Sequence, residues 1–466
     1  MNNALAMTEQ GLHGDPIAPV ILGVTGILFF AVIGRFLARR FGQPTVLGEL
    51  FMGILLGNAA WYLEVDLITV LREGPRVFEL VSASLSGISV HEVATAIFGA
   101  DKGNEIVRII SGPHGGEVMQ VAQTVDVFSR YGVIFLLFVV GLETEISEMR
   151  RVGADSIRVA VLGVIVPFAF GFAAAGLLMP ELSLNSMLFV AATLGATSVG
   201  ITANVLVELG RNRSVEGHII LGAAICDDVL GLIILAVVSG IIVSGSVDLL
   251  HIGLVVFMSA LFVSGAAVFG PKIVQFSAAI MGRLDIVEAK MFTSYLFVMV
   301  LAWIANLAGL ATIVGAFAAG VVLSDSYFKE YEKSRKNFVS IRELIMPLEV
   351  VLVPIFFILM GIQVKLESFL SVPVLFVAGG LLIAAILGKL ASGLGARRQV
   401  DRLVIGIGMI PRGEVGLVFA AIGRALDVID DALFSAIVLM VMVTTLISPP
   451  LLKAAINRRG SRMAPD

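Results

Sequence analysis

Apolar runs long enough to cross a bilayer alternate with short polar connections along nearly the whole chain. A hydrocarbon core about 30 Å thick takes about 20 helical residues. By that measure the runs predict about thirteen spans, at 18–39, 44–60, 128–146, 156–179, 185–208, 215–244, 249–270, 287–308, 310–325, 342–364, 372–396, 402–426 and 431–456. Several are separated by only a few polar residues, which favours helical hairpins. The period-two alternation of membrane-barrel strands is absent. The pattern predicts an all-α polytopic membrane protein.

The connections carry an orientation signal. Those after odd-numbered spans hold Arg39 and Arg40; Arg150 and Arg151; Arg211 and Arg213; Lys272 and Arg283; Lys329, Lys333, Arg335 and Lys336; Arg397 and Arg398; then Arg458, Arg459 and Arg462. Short connections after even-numbered spans hold almost none, Lys365 and Arg424 being the exceptions. Positive charge marks the cytoplasmic side, so the N-terminus (1–17) is expected outside and the tail (457–466) in the cytoplasm. One connection, 61–127, is long. It carries Gly/Pro punctuation at Gly74-Pro75, Gly112-Pro113 and Gly115-Gly116, and amphipathic stretches such as Val90 to Phe98. It reads as an external loop on the membrane surface.

Composition narrows the classes. Of 466 residues, 58% are hydrophobic and 15% charged, unlike a soluble domain of this size. The 49 glycines suit closely packed transmembrane helices. A net charge of −4 without a basic block points away from nucleic acid. A single cysteine, Cys226, excludes a disulfide framework and a multi-cysteine metal site. The first residues lack the basic region of a cleaved signal peptide. No glycine-rich strand–helix unit suggests a nucleotide-binding domain.

Against this background four stretches carry chemistry. Asp227 and Asp228 lie in the middle of the apolar run 218–239, where a charged side chain costs about 3 kcal/mol even on lenient insertion scales. In the fifth span, residues 192–203 gather small and hydroxyl residues with Gly195 and Gly200, a composition that can unwind at mid-membrane and turn backbone groups toward an ion. In the twelfth span, residues 408–416 combine Pro411, Gly413 and Gly416 with the charges of Arg412 and Glu414. One interrupted span falls late in each half, the arrangement that inverted-repeat transporters use to place an ion site between two discontinuous helices. Lys389 lies well inside the eleventh span, and Arg397, two turns on, already supplies the cytoplasmic interface. A partner carboxylate for Lys389 is expected, Asp227 or Asp228 being the candidates. Neighbours on a helix point about 100° apart, so the two aspartates do different jobs. One faces the lysine and the other a water-filled cavity. There it holds a proton or a metal cation in turn, because the bare charge is penalised by desolvation.

Other polar residues in spans have ordinary readings. Cys226 is a small packing residue and His218 interfacial, while His13, His91, His114 and His251 show no ligand spacing. Glu49 and Glu143 sit near cytoplasmic helix ends, where they could tune access or pH response. Asn306, Glu349 and Gln363 can satisfy neighbouring backbone.

The motifs ATSVGIT at 196–202, CDD at 226–228, GK at 388–389 and MIPRGEVGLVFA at 409–420 resemble the monovalent cation:proton antiporter-2 family, and within it the bacterial sodium/proton antiporters with paired aspartates. Supporting matches are QPTVLGEL at 43–50, FVVGLET at 138–144, IVGAFAAG at 313–320 and PIFFILMGI at 354–362, so the likeness covers about 18–456. It implies inverted repeats with two crossed discontinuous helices and a homodimer. The dimer domain would comprise 18–60, 128–146 and 287–364, and the mobile core domain 156–244 and 372–456. It places the cation- and proton-binding carboxylate at Asp228, the partner of Lys389 at Asp227, and Thr197 and Ser198 beside the ion. An aspartate at 227 implies electrogenic exchange. The chain departs from relatives in the 61–127 insertion, in Asn58 where proline is common, and in lacking the regulatory domain of the potassium-efflux branch.

The expectation is an antiporter in the cytoplasmic membrane that exchanges Na+, or Li+ or K+, for protons, with no cofactor and no enzymatic residue. Alternatives are a K+/H+ antiporter or a cation efflux channel of the same fold, and more distantly an intramembrane aspartyl protease. The last needs two aspartates facing each other from two helices.

Overall fold

The computed structural model describes residues 15, 17–74, 76–78, 80, 89–143, 153–211, 214–244, 249–281, 286–308, 310–328, 339–369 and 371–462. All regular structure among the described residues is helical. The chain runs α1 Ala18–Arg40, α2 Thr45–Tyr62, α3 Asp66–Arg72, α4 Val90–Phe98, α5 Ala100–Ile110 and α6 Gly115–Glu143. It continues with α7 Ala154–Leu178, α8 Leu184–Gly195, α9 Val199–Glu208, α10 Val215–Ser244, α11 Leu249–Met281, α12 Ile286–Leu307 and α13 Thr312–Val322. The last elements are α14 Ile341–Ile362, α15 Leu366–Phe369, α16 Val372–Ser392, α17 Arg402–Gly408, α18 Gly413–Ala425 and α19 Asp431–Arg462.

Each predicted span has its counterpart in one helix or in a pair. Among the described residues, eight helices are long and apolar enough by themselves to cross a membrane, and α8, α13 and most of α18 are shorter apolar helices. Large apolar side chains stay exposed along them, such as Leu22, Phe29, Val32 and Phe36 on α1. That is stable only where the surroundings are apolar too.

By internal contacts the chain forms two units. The first comprises residues 1–132 and 351–365. In it α1 and α2 cross at Gly34 and Gly48, where a Cβ on either would overlap the other's carbonyl. Gly53 and Gly57 of α2 admit the last turns of α14 in the same way, a Cβ on Gly57 falling 2.6 Å from Ile362 Cα. The 61–127 connection differs from the expected loop. It holds α3, α4 and α5, and α6 begins at Gly115 rather than near 128. A buried polar cluster fastens it. Lys365 donates to both carboxylate oxygens of Glu73, at 3.1 and 3.0 Å, and Lys102 pairs with the same carboxylate at 2.9 Å. Arg72 donates to Asn58 Oδ1 at 2.7 Å and stacks 4.4 Å above the Trp61 ring. Lys365, an exception to the charge pattern, is therefore neutralised by a carboxylate of the insertion.

The second unit comprises residues 133–350 and 366–466. Here α7 packs along α16, α8 and α10, while α19 packs against α16, α17 and α18. An apolar cluster of Val159, Leu206, Ile220, Ala224, Ile405 and Leu452 joins α7, α9, α10, α17 and α19. Caps set the starts of two short helices. Ser183 Oγ accepts from Ser186 N–H at 3.1 Å ahead of α8, and Asp401 Oδ1 accepts from Leu403 N–H at 3.0 Å and Val404 N–H at 3.2 Å ahead of α17. Arg424, the second exception to the charge pattern, pairs with Asp431 at 2.7 Å. Charged loop residues that shaped the orientation reading, including Arg150, Arg151, Arg213, Arg283, Lys329, Lys333, Arg335 and Lys336, lie outside the described residues, or their side chains do.

Candidate functional site

Asp227 lies midway along α10 and is fully buried. Lys389, in the last turn of α16, is fully buried as well. Its Nζ donates to Asp227 Oδ1 at 2.9 Å and to Oδ2 at 3.1 Å. A buried charge is tolerable only when paired and hydrogen-bonded, and here both oxygens are taken by one ammonium. Of the two aspartates left open by helical period, Asp227 is the one against the lysine. Asp228 is the next residue of α10, and its side chain lies outside the described part.

Beside this pair, two helices are interrupted. The fifth predicted span breaks at 196–198 between α8 and α9, and the twelfth at 409–412 between α17 and α18. Helix ends leave N–H and C=O groups without intrahelical partners, and in a bilayer no water replaces them. The two breaks satisfy each other. Ser198 N–H donates to Pro411 O at 2.8 Å, and Thr202 Oγ1 donates to Gly408 O at 2.6 Å. The Gly413 N–H donates to Thr445 Oγ1 at 3.2 Å. Gly413 adopts φ +47°, in the left-handed region, and a Cβ there would come within 2.6 Å of Ser198 Oγ. Both constraints demand glycine.

Arg412 joins the break to the ion pair. It is fully buried, and its Nη1 donates to Ala196 O at 2.6 Å and its Nη2 to Ala385 O at 3.2 Å. Ala385 lies one turn before Lys389 on α16. The guanidinium thus places positive charge on the carbonyl end of α8, where the helix dipole favours it. Thr197 is buried and its Oγ1 finds no hydrogen-bond partner among the described residues. A Cβ built on the buried Gly195 would meet no atom of the described residues within 4 Å, so they leave room at this break. A buried hydroxyl without a partner beside open space is a neutral oxygen that a weakly held, partly dehydrated cation can use.

Other candidates fall elsewhere. Cys226 is half-buried and packs against the apolar cluster. His218 is exposed, with Nδ1 3.0 Å from Ser214 O. Glu49 of α2 is buried and takes the Arg35 guanidinium. The side chains of Glu143, at the end of α6, and Glu414, in the first turn of α18, and the surroundings of Gly200 lie outside the described part. Thr445, Ala385 and Thr202 as a carbonyl cap went unrecognised from sequence. For the two threonines the local signal was a hydroxyl inside an apolar run; Ala385, which accepts through its backbone carbonyl, gave none.

A model of the sodium/hydrogen exchanger transmembrane family matches residues 27–457. The chain belongs to that family. The high-affinity Na(+)/H(+) antiporter NhaS3 of Synechocystis is 34% identical over 98% of this chain and 94% of its own length. A Na(+)/H(+) antiporter of Enterococcus hirae is 28% identical over 92% of this chain and 95% of its own. The Na(+)/H(+)-K(+) antiporter GerN of Bacillus cereus is 30% identical over 78% of this chain and 91% of its own. A solved structure of the sodium proton antiporter MjNhaP1 from Methanocaldococcus jannaschii, at pH 8, covers 93% of this chain and 96% of that chain with a TM-score of 0.58 at 17% identity. At that identity the likeness concerns the fold alone.

For this exchanger-family chain, the fork of Arg412 is a stability element with a measurable signature. A lysine keeps the charge but cannot span two carbonyls. Arg412→Lys is expected to lower the unfolding temperature of the detergent-solubilised protein. Arg412→Leu should lower it further, leaving two buried carbonyls unpaired at about 1–3 kcal/mol each. Equal unfolding temperatures for all three proteins would remove Arg412 from this role.

Proposed function

We propose that the chain is a secondary antiporter that moves Na+ against protons across the cytoplasmic membrane by alternating access, with Asp228 as the carrier group. One observation carries this reading. A fully buried Asp227–Lys389 pair stands beside two helix breaks that cap each other, and it commits one of two adjacent carboxylates. The other, Asp228, remains to bind a proton or a cation. Crossing is allowed when Asp228 is protonated or cation-bound and opposed when it is bare, because the bare charge costs most in the barrier. Thr197, with the backbone at Gly195, Ser198 and Gly200, supplies neutral oxygens beside it. Pro411 and Gly413 keep the second break open, and Glu414 is proposed as a further residue of that break.

The proposed mobile core comprises 156–244 and 372–456, working against a dimer-forming part comprising 18–60, 128–146 and 287–364 in a homodimer. The N-terminus faces outward and the C-terminus inward. The names of NhaS3 and of the Enterococcus antiporter support sodium as cargo. GerN, whose name includes K(+), favours a second reading in which potassium is also carried. An aspartyl protease is disfavoured, because Asp227 is consumed by Lys389 rather than facing a second aspartate.

The test is proton movement in proteoliposomes carrying a pH-sensitive dye. Adding NaCl is expected to dequench the dye, LiCl to act likewise, and clamping the membrane voltage to change the rate, as exchange of unequal charge requires. Currents far above carrier rates without proton coupling would favour a channel, and no response to NaCl, LiCl or KCl would end the proposal.

A further inference from the structure

Thr444, Thr445 and Ser448 carry three buried hydroxyls in adjacent turns of α19. Two of them turn back on their own helix. Thr444 Oγ1 donates to Met440 O at 2.9 Å and to Val441 O at 3.0 Å, and Ser448 Oγ donates to Thr444 O. That is the ordinary behaviour of a hydroxyl inside an apolar helix. Thr445 differs. Its Oγ1 accepts the N–H of Gly413, the first residue of α18, at 3.2 Å. About one turn further along both helices, a Cβ on Gly416 would come 3.2 Å from Val441 Cγ2. Residue numbers rise on α18 as they fall on α19, so the two contacts form one antiparallel seam. The ladder of α19 is also weakened here. Pro449 and Pro450 lie inside the helix, so the carbonyls of Thr445 and Leu446, four residues earlier, lack the N–H that an unbroken helix supplies. Gly413 meets the other break as well. A Cβ at 413 would lie 2.6 Å from Ser198 Oγ, and Ser198 N–H donates to Pro411 O at 2.8 Å. A displacement of Gly413 therefore reaches the capping between the two breaks.

We propose that Thr445 is a positioning residue for the exchange reaction: its hydroxyl oxygen fixes the start of α18, through Gly413, where the two breaks cap each other beside the proposed cation oxygens of Thr197 and Ser198. This rests on the antiporter reading, in which those oxygens receive the transported ion. The first N–H groups of a helix have no partner inside it, and a buried one left without an acceptor is destabilising. Valine has nearly the shape of threonine but no acceptor. At 445 it leaves the Gly413 N–H unsatisfied and lets the first turn of α18 shift against Ser198. Serine at 445 keeps the oxygen. Valine at 444, one residue away and equally buried, removes only bonds within α19.

The experiment uses the full chain with Thr445→Val, Thr445→Ser and Thr444→Val. Two readouts are taken: the NaCl dependence of proton flux in proteoliposomes at one fixed pH, and hydrogen–deuterium exchange of the peptide covering 409–416 in the purified protein. Thr445→Val is expected to raise the half-saturating NaCl concentration about fivefold, the equivalent of one hydrogen bond, while the maximal flux changes by less than about twofold. It is also expected to speed amide exchange in that peptide, because the Gly413 N–H has lost its acceptor. Thr445→Ser and Thr444→Val are expected to match the unsubstituted protein in both readouts. Unchanged half-saturation or unchanged amide exchange in Thr445→Val, equal effects from Thr444→Val, or failure of serine to rescue would each overturn the proposal. Should Thr445→Val fail to fold, Thr445→Ala and Thr444→Ala make the same comparison. Absence of flux from the unsubstituted protein would defeat the antiporter reading, and amide exchange would still decide whether Thr445 holds α18.

Discussion

Asp228→Asn is expected to abolish cation-driven proton flux in proteoliposomes while the protein still folds and elutes as the unsubstituted chain does. The argument runs through its neighbour. Asp227 accepts from Lys389 with both carboxylate oxygens, and in the proposed mechanism it is spent on that pair. Adjacent helical residues diverge by about 100°, and the proposed mechanism therefore gives Asp228 a separate task from Asp227. The proposed cation site draws on the two breaks, with Thr197 and Gly195. Asparagine has nearly the shape of aspartate and can still offer an oxygen, but it cannot alternate between a protonated and an ionised form. Without that alternation neither half of the exchange is coupled to the other. Asp228→Glu, which keeps the titrating group one methylene further out, is expected to retain reduced flux. Unimpaired exchange in Asp228→Asn would remove this residue from the mechanism altogether.

Lys389→Ala should produce the second large effect, first on stability and then on transport. Removing the ammonium leaves Asp227 buried and uncompensated, and breaking one side of a buried pair costs about 3–5 kcal/mol. The unfolding temperature is therefore expected to drop well below that of the unsubstituted protein. Removing both charges, in Asp227→Asn/Lys389→Ala, should recover much of the loss, because no unpaired charge remains in the interior. Exchange would be weakened in the single variant and its pH dependence re-tuned in both. If the single and double variants unfold at the same temperature, the pair does not stabilise the fold as described. If the pH dependence of exchange stays unchanged in both, the pair is structural and takes no part in transport.

Much of this site is readable in the amino-acid sequence. A run of Gly, Ala, Ser and Thr at 192–203, and Pro411 with Gly413 in an apolar stretch, signal interruption because those residues loosen or break a helix wherever they occur. Two acids and a lysine inside apolar runs signal a partnership, because the bilayer penalises each of them alone. What remained hidden were matters of contact. That Lys389 chooses Asp227 depends on how α16 faces α10, across 162 residues of chain. That Arg412 reaches Ala196 depends on two breaks arriving at one place, 216 residues apart. Gly163 of α7, where a Cβ would lie 3.5 Å from Asp227 Oδ1 and 3.6 Å from Lys389 Nζ, carried no signal, since a glycine in an apolar span looks like any other packing residue. The 61–127 connection read as a loop because its helices are short and amphipathic. Glu73 explains why Lys365 is tolerated where the charge pattern has few cations.

The sequence alone determined the membrane class, the span count, the positions of the two interruptions and the set of charged residues inside the spans. These follow from hydrophobic length, helix-breaking chemistry and desolvation cost, which act locally on each stretch. Tertiary structure alone decided which acid is neutralised, which backbone groups the breaks satisfy in each other, and which bare glycine lies against the pair. Those are choices of partner, and the physical reason is that a hydrogen bond or an ion pair acts over about 3 Å, a distance that residue order along a chain does not encode.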